Sequence, residues 1–358
     1  MLASRRSRAV LGLVAVGLAA AACSSSKTNS KGSSQLTQSL SREQLAAAAA
    51  KEGSLTWYTT FAADDVASMT KAFNKVYPQV SVKTLRLSAD KIPARVSTEQ
   101  RGGKYNADVI SGNSSYVAQL IQTGALQPYS PPDAAPLPAG LDMPTGYDTY
   151  TYVTTTALAY NPTVLRQDGL PIPHTLQDLT KPVYKGKFSI DPGAVNIYDS
   201  TVKSIGADAA KKLFTDLGNN DPRFVESHTE AVTDVEAGEP PVAATAYGYK
   251  AASEKRKSPR NIDFVNPNPL PTGVDLLDIA KNAPHPNAAR LFVDWLSSQA
   301  GQQSVVDITN HTSLRSDVDN DKTVWNPATW PPVYSNPNLP SATFNEYLAD
   351  MKQALHAP

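Results

Sequence analysis

Apolar and polar positions along the first third of the chain switch repeatedly between two periods. An alanine-rich stretch over residues 41–51 predicts a short helix closed by Gly53. Leu55-Thr56-Trp57-Tyr58 then reads as a strand, and Val66, Met69, Phe73 and Val76 fall at helical spacing up to Tyr77-Pro78. Val80-Ser81-Val82 opens a second strand, residues 92–101 form a helix that ends before Gly102-Gly103, and Asp108-Val109-Ile110 is a third strand. The helix after it shows Tyr116, Val117, Leu120 and Ile121 on one face and stops at Gly124. Strand and helix alternating at this spacing predict parallel βαβ units, whose ligand crevice lies beyond the carboxyl ends of the strands. Thr59, Thr60 and residues 111–115 then share one rim.

Residues 128–144 are rich in proline and glycine and mark a surface crossing. Residues 150–160 are β-branched and aromatic throughout, too long and continuous for an ordinary edge, and predict a strand that leaves one lobe and enters a second. A new α/β set follows, with Phe188-Ser189-Ile190 as a strand, a helix with Ala210, Leu213, Phe214 and Leu217 on its apolar face, and a strand and turn over residues 242–249. Residues 273–280 return as a strand. The clearest helix follows His285-Pro286, with Ala288, Leu291, Phe292, Trp295 and Leu296 on one face. A proline- and aromatic-rich wrap over 325–340 and a last helix over 344–355 finish the chain. There is no repeat at solenoid period. The expected division is a first lobe of 42–153 and 271–358, including the C-terminal wrap, and a second lobe of 154–270.

Ser111-Gly112-Asn113-Ser114-Ser115 lies between a strand end and a helix start. Such a hydroxyl-rich turn leaves backbone N–H groups at the positive end of a helix dipole, which suits anions and polar ligands. Ser114 or Ser115 acting only as N-cap is the alternative. Asn196, Tyr198 and Ser200, after Asp191-Pro192-Gly193, form the second lobe's counterpart, with capping or turn roles equally open. Tyr247 and Tyr249 stand at a strand end, either as ligand contacts or as packing aromatics. His228 within Ser227-His228-Thr229-Glu230 reads as a solvent-facing residue of a capping box. Asp317, Asp319 and Asp321 imitate the start of a calcium loop but lack its glycine and closing glutamate, which leaves a solvated loop. Lys255-Arg256-Lys257 reads as an exposed helix end, available to a membrane partner.

The 358 residues are 41% hydrophobic and 18% charged, which suits one large or two medium globular domains. With 33 basic and 33 acidic residues the formal net charge is 0, so nothing points to nucleic acid. The one cysteine excludes an internal disulfide and a cysteine-based zinc site. It follows a stretch with the layout of an export signal: Arg5, Arg6 and Arg8, then an apolar and small-residue run shorter than the about 20 residues that cross a bilayer. Residues 1–22 are therefore expected to be a signal peptide, by either the general or the twin-arginine route. Leu18-Ala19-Ala20-Ala21-Ala22-Cys23 resembles the lipobox of bacterial lipoproteins, with Ala20 where leucine is usual. That resemblance implies lipidation, such as palmitate, on Cys23. Residues 23–41 then serve as lipid anchor and flexible tether, too polar to fold. No G-x-S-x-G, H-E-x-x-H, P-loop or Cys/His pair is present.

The chain also resembles the extracellular solute-binding proteins of ABC importers, nearest to their ferric-iron-type branch. The resemblance is carried by residues 55–60, by the A-D-V and G-A-L-x-P-Y patterns of 107–129, and by Ala159-Tyr160-Asn161-Pro162. Tyr184-Lys185-Gly186-Lys187, residues 235–249 and residues 282–296 complete it, so that it spans about residues 42–310. It implies an α/β, type 2 periplasmic-binding fold: two lobes, each a mostly parallel sheet flanked by helices, with a two-strand hinge and closure on a ligand without chemistry. The implied ligand residues are Thr59, Thr60, Phe61, Ser111, Asn113, Ser114, Asn196, Tyr198, Tyr247 and Tyr249, with no catalytic residue, resident metal or cofactor. Iron-binding members use two adjacent tyrosines, and here Gly248 interrupts the pair, as Thr60-Phe61-Ala62 replaces a histidine some members use. A small oxyanion-bearing ligand is therefore favoured over iron, with phosphonates, thiamine-like molecules and polyamines as the classes carried by relatives. The implied partners are an ABC permease with its ATPase and, through the lipid, the outer face of the cytoplasmic membrane; a monomer is expected. A ligand-sensing partner of a membrane receptor and a secreted hydrolase are the other function classes.

Overall fold

The computed structural model describes residues 40–358; the expected signal peptide 1–22, Cys23 and nearly all of the expected tether lie outside the described residues. Helix α1 (Arg42–Glu52) begins with a reciprocal cap in which Ser41 Oγ accepts from Gln44 N and Gln44 Oε1 accepts from Ser41 N, and it ends at Gly53 with φ 72°. The expected alternation follows as β1 (Ser54–Thr59), α2 (Ala63–Val76), β2 (Ser81–Arg86), α3 (Lys91–Arg101), β3 (Val109–Asn113), α4 (Ser114–Gln122) and β4 (Leu126–Gln127). The long strand β5 (Tyr150–Tyr160) leads to α5 (Pro162–Gln167), β6 (Phe188–Ile190), α6 (Val195–Ile205), α7 (Ala207–Asn219), β7 (Arg223–Phe224), α8 (His228–Ala237), β8 (Val242–Tyr247), α9 (Gly248–Lys257) and β9 (Asp263–Val265). The chain returns through β10 (Leu270–Ala280), α10 (Pro286–Ser297), α11 (Gln299–Thr309), β11 (Pro332–Tyr334) and α12 (Ser341–Leu355).

Strands β2, β1 and β3 are parallel, as the alternation requires, and β10 joins β3 and β5 antiparallel. The other half has β8 parallel to β6 and β6 parallel to β7, with β8 and β9 antiparallel to β5. The hydrogen-bonded path is unbroken because β5 serves both halves: residues 150–155 pair with β10 and residues 156–160 with β8 and β9. Eleven extended residues reach about 36 Å, enough for both duties.

Side chains alternate across each half-sheet and feed a separate core on each face. Trp57, Val109, Leu277 and Ile279 pack with α1, α2 and α10, while Tyr58, Ile110 and Leu276 pack with α3 and α4. Leu158, Val242 and Ala244 likewise face α6 and α7, and Ala159, Ala243 and Ala246 face α8 and α9.

Three boundaries differ from expectation. Strand β3 extends to Asn113, because Ser111, Gly112 and Asn113 pair with Leu277, Leu276 and Asp275 of β10. The turn expected after Tyr247 is already the first turn of α9. Helix α12, expected with the first lobe, packs on α6 and α7 instead, with Met351, Ala354 and Leu355 in the core of Phe214 and Leu217. Gly218 permits that approach, since a Cβ there would lie 2.6 Å from the Ala354 carbonyl oxygen. The segment before α12 is tied to both halves: Asp199 accepts from Asn336 N at 2.5 Å, and Gln122 Nε2 donates to the Leu339 carbonyl at 3.2 Å.

Candidate ligand-binding cleft

Two adjoining cavities lie where the halves meet, and both are lined by Ala89, Asn113 and Tyr247. The first, of about 300 Å³, is where four helices begin. Helix α4 starts after Asn113, whose Oδ1 accepts from Ser115 N at 3.0 Å, and α8 after Ser227, whose Oγ accepts from Glu230 N at 3.1 Å. Helices α6 and α9 start after Ala194 and Tyr247 with no side-chain cap. Four positive dipole ends therefore converge on this space, although at α6 Val195 N and Ile197 N already donate to the Gly193 and Ala194 carbonyls.

His228 lies on the wall of the same cavity and is buried, contrary to its expected solvent-facing place. Its ring stacks on Tyr247 at 4.4 Å, and its Nδ1 is 2.5 Å from the Thr245 carbonyl oxygen. A carbonyl can only accept, so the ring proton sits on Nδ1 and leaves Nε2 bare. Burial lowers its pKa, an effect Asp191 partly offsets. Asp191 Oδ1 accepts from Gly193 N at 2.7 Å, and its Oδ2 lies 3.8 Å from His228 Nε2, too far for a hydrogen bond.

The second cavity, of about 340 Å³, has an aromatic wall and a buried carboxylate. Tyr247 stacks on Tyr249 at 5.5 Å, Tyr249 lies against His311 at 3.8 Å, and His311 stacks on Tyr152 at 3.8 Å. Phe61 closes the column edge-on against Tyr152 at 5.0 Å. Burial holds all three phenols above their ordinary pKa and pushes His311 down to about 3, so these rings are neutral. Asp275 pairs with Tyr152 across the sheet beside a bulge that re-aims the strand. Burial raises its pKa to about 7, with the Tyr152 hydroxyl as partial relief. Arg86 on the rim donates its Nε to the Phe61 carbonyl at 2.9 Å.

Among the residues expected at the site, Thr60, Phe61, Asn113, Tyr247 and Tyr249 line the second cavity, and Asn113, Asn196 and Tyr247 the first. Thr59 and Ser111 turn inward instead, Ser111 Oγ bonding Trp57 Nε1 and Thr59 Oγ1 at 2.9 Å each. Ser114 is buried in the first turn of α4, so Asn113 rather than Ser114 or Ser115 is the cap. Tyr198 does not reach the cleft. Two residues of helix rotate about 200°, so with Asn196 on the cavity Tyr198 faces the core, where it meets Phe214 at 5.1 Å and Tyr347 at 5.4 Å.

Gly248 sits close against β5. A Cβ there would fall 2.3 Å from Thr155 Oγ1, so β5 leaves no room for the second tyrosine of an adjacent pair. Among the described residues no group of three His, Cys, Asp or Glu side chains is placed to hold a metal ion. Asp317 is held by Arg315, and Asp321 pairs with Arg256 at 3.0 Å. Lys255 and Lys257 are likewise paired, with Asp263 and Glu254, so the basic helix end is largely neutralised.

Sequence reasoning missed Tyr152, His311, Asp191 and Asp275 as cavity residues. The usable signal was Asp275, which with Asp278 is one of two carboxylates inside a mostly apolar strand.

Residues 33–303 match the sequence profile described as bacterial extracellular solute-binding protein. No curated protein matches the chain. The fold is similar to that of iron-bound HitA from Pseudomonas aeruginosa, with TM-score 0.70 and 22% identity over 84% of this chain and 99% of that one. AfuA from Actinobacillus pleuropneumoniae, solved with fructose-6-phosphate, gives TM-score 0.69 and 21% identity over 85% of this chain and 97% of that one. The GacH receptor of Streptomyces glaucescens, solved unliganded and with acarbose, gives 0.67 and 18% over 85% and 93%.

Proposed function

The chain belongs to the bacterial extracellular solute-binding protein family, and from that premise we propose that it is the substrate-binding component of an ABC importer whose ligand is a small organic oxyanion. The observation that carries the ligand class is the meeting of four helix starts, two of them uncapped, at one cavity with the bare Nε2 of buried His228. Backbone N–H groups at helix starts recognise negative oxygen whatever carries it, and their charge is fixed without a lysine or arginine that the ligand would have to strip of water. His228 Nε2 accepts from a protonated ligand oxygen. Closure of the halves would follow from contacts that Asn113 and Ser115 on one side, and Asn196 and His228 on the other, make with the same molecule.

The absence of a tyrosine pair weighs against ferric iron as cargo, and the space that Thr155 occupies explains the absence. Titration calorimetry with phosphate, alkylphosphonates, sugar phosphates and ferric citrate tests the reading. An oxyanion that binds, and binds at least about tenfold more weakly to His228→Ala, supports it; binding of uncharged sugars alone would overturn it. For Cys23 we propose a lipid anchor on the outer face of the cytoplasmic membrane. Palmitate labelling and membrane fractionation, both lost in Cys23→Ala, are the expected results. A permease of the importer class is the proposed partner, delivered to by a monomer.

A further inference from the structure

The second cavity holds a charge problem that the oxyanion reading leaves unsolved. Asp275 is 6% exposed, lines about 340 Å³ of space, and makes no ion pair with any described lysine, arginine or histidine. A buried carboxylate normally has a cationic partner, because removing its charge from water is costly. No group on the cavity wall forms an ion pair with it. Tyr152 from β5 and Tyr247 and Tyr249 from the start of α9 are phenols, His311 after α11 is neutral, and Asp65 from α2 is a second carboxylate. Asn113 from β3 is uncharged, and Arg86 from β2 is turned to the Phe61 carbonyl. The aromatic rings are stacked on one another, so their faces are largely covered. The phenol oxygens and the carboxylate are a set of acceptors, and the one fixed cation on the wall, Arg86 at the rim, makes no ion pair with Asp275.

Resting on the oxyanion reading, we infer that the second cavity is an ammonium subsite, in which Asp275 pairs with a protonated amine of the same ligand while Tyr152, Tyr249 and Tyr247 accept its remaining hydrogens. The ligand class is then a zwitterion: an oxyanion at the helix starts, and an amine reaching past Asn113 and Tyr247, which with Ala89 are common to both cavities. An ammonium group has three donors and fits such an acceptor set. Its arrival converts Asp275 to the ionised form, so below about pH 7 binding expels a proton from the protein, since a group with raised pKa is partly protonated there.

The test is calorimetry with a short series of ω-aminoalkylphosphonates, their des-amino counterparts and the matching diamines, in buffers of different ionisation enthalpy. The expected result is that at least one aminophosphonate binds about tenfold or more tightly than its des-amino counterpart, as a charge-assisted contact implies. It releases close to one proton at about pH 6 and almost none at about pH 8.5. In Asp275→Asn both the advantage of the amine and the proton release vanish, and Tyr249→Phe reduces the advantage. Equal binding of amino and des-amino probes overturns the ammonium subsite while the oxyanion reading stands. Binding of the diamines alone, with the same Asp275 dependence, overturns the oxyanion reading and keeps the subsite. No binding of any probe, or a coloured tyrosinate complex with ferric citrate, overturns both.

Discussion

The two cavities share Asn113 and Tyr247 yet are built from different materials. The first takes much of its polarity from backbone at helix starts, joined by the side chains of Asp191, Glu226 and His228. The second is made of side chains whose rings stack in a column and whose one deep carboxylate is held in an apolar surrounding. A polarity built from backbone does not titrate and tolerates substitution, whereas one built from side chains responds to pH and to single mutations. The contrast predicts where each cavity breaks.

The largest effect is expected at Gly248, between Tyr247, which lines both cavities, and Tyr249, which lines the second. Gly248→Tyr has no space against Thr155, and soluble yield and cooperative unfolding should be lost. Gly248→Ala should cost about 1–3 kcal/mol in urea unfolding, with much of this restored in combination with Thr155→Ala, whose Oγ1 is buried without a partner. Independent, additive costs would show that the clash is relieved elsewhere.

Next comes the pH dependence of the second cavity. The folded-state pKa of Asp275 is raised to about 7, so the folded form holds a proton that the unfolded chain has lost, and this contribution to stability disappears as pH rises through about 7. Asp275→Asn should therefore stabilise the unliganded protein at about pH 8.5, by up to ~4 kcal/mol, and little at about pH 4. His311 has the opposite sign. Its pKa is depressed to about 3, so stability is present above about 6.5 and falls as the solution is acidified toward 3. Denaturant midpoints of the wild type, Asp275→Asn and His311→Gln across that range separate the two slopes.

A smaller effect is expected in the first cavity. His228→Ala should weaken oxyanion binding about tenfold or more, and Asn196→Ala by less than His228→Ala, because the helix N–H groups remain. Calorimetric affinities at fixed pH check the order. If Asn196→Ala abolished binding, side chains rather than backbone would be the source of recognition there.

Much of the architecture was legible in sequence because burial imposes period. Trp57 and Tyr58 send adjacent side chains to opposite cores, as do Val109 and Ile110, so the strands of the first half declare themselves. Gly53 marked a helix end for the same local reason. The cleft was less legible because it is assembled from ends. Tyr152, Asp275 and His311 come from three distant stretches and meet only once β5 and β10 pair. Local pattern also misled where one residue of rotation decides, as with Tyr198, which its helix turns into the core. His228 was misjudged since nothing nearby in sequence announces its stacking on Tyr247. Helix α12 escaped assignment because an amphipathic helix states that it needs an apolar surface without saying which one.

The placement of α12 also bears on how far the halves can travel. The main chain runs from one half to the other along β5, again between β9 and β10, and a third time through residues 335–340, which are pinned to Asp199 on one side and to Gln122 on the other. A body joined to another along one line swings freely about it. A third attachment off that line acts as a stay, slack in one position and taut in another. Residues 335–340 would then set the open limit of the stroke, and the last helix, remote from any ligand, would govern how wide a mouth the protein offers.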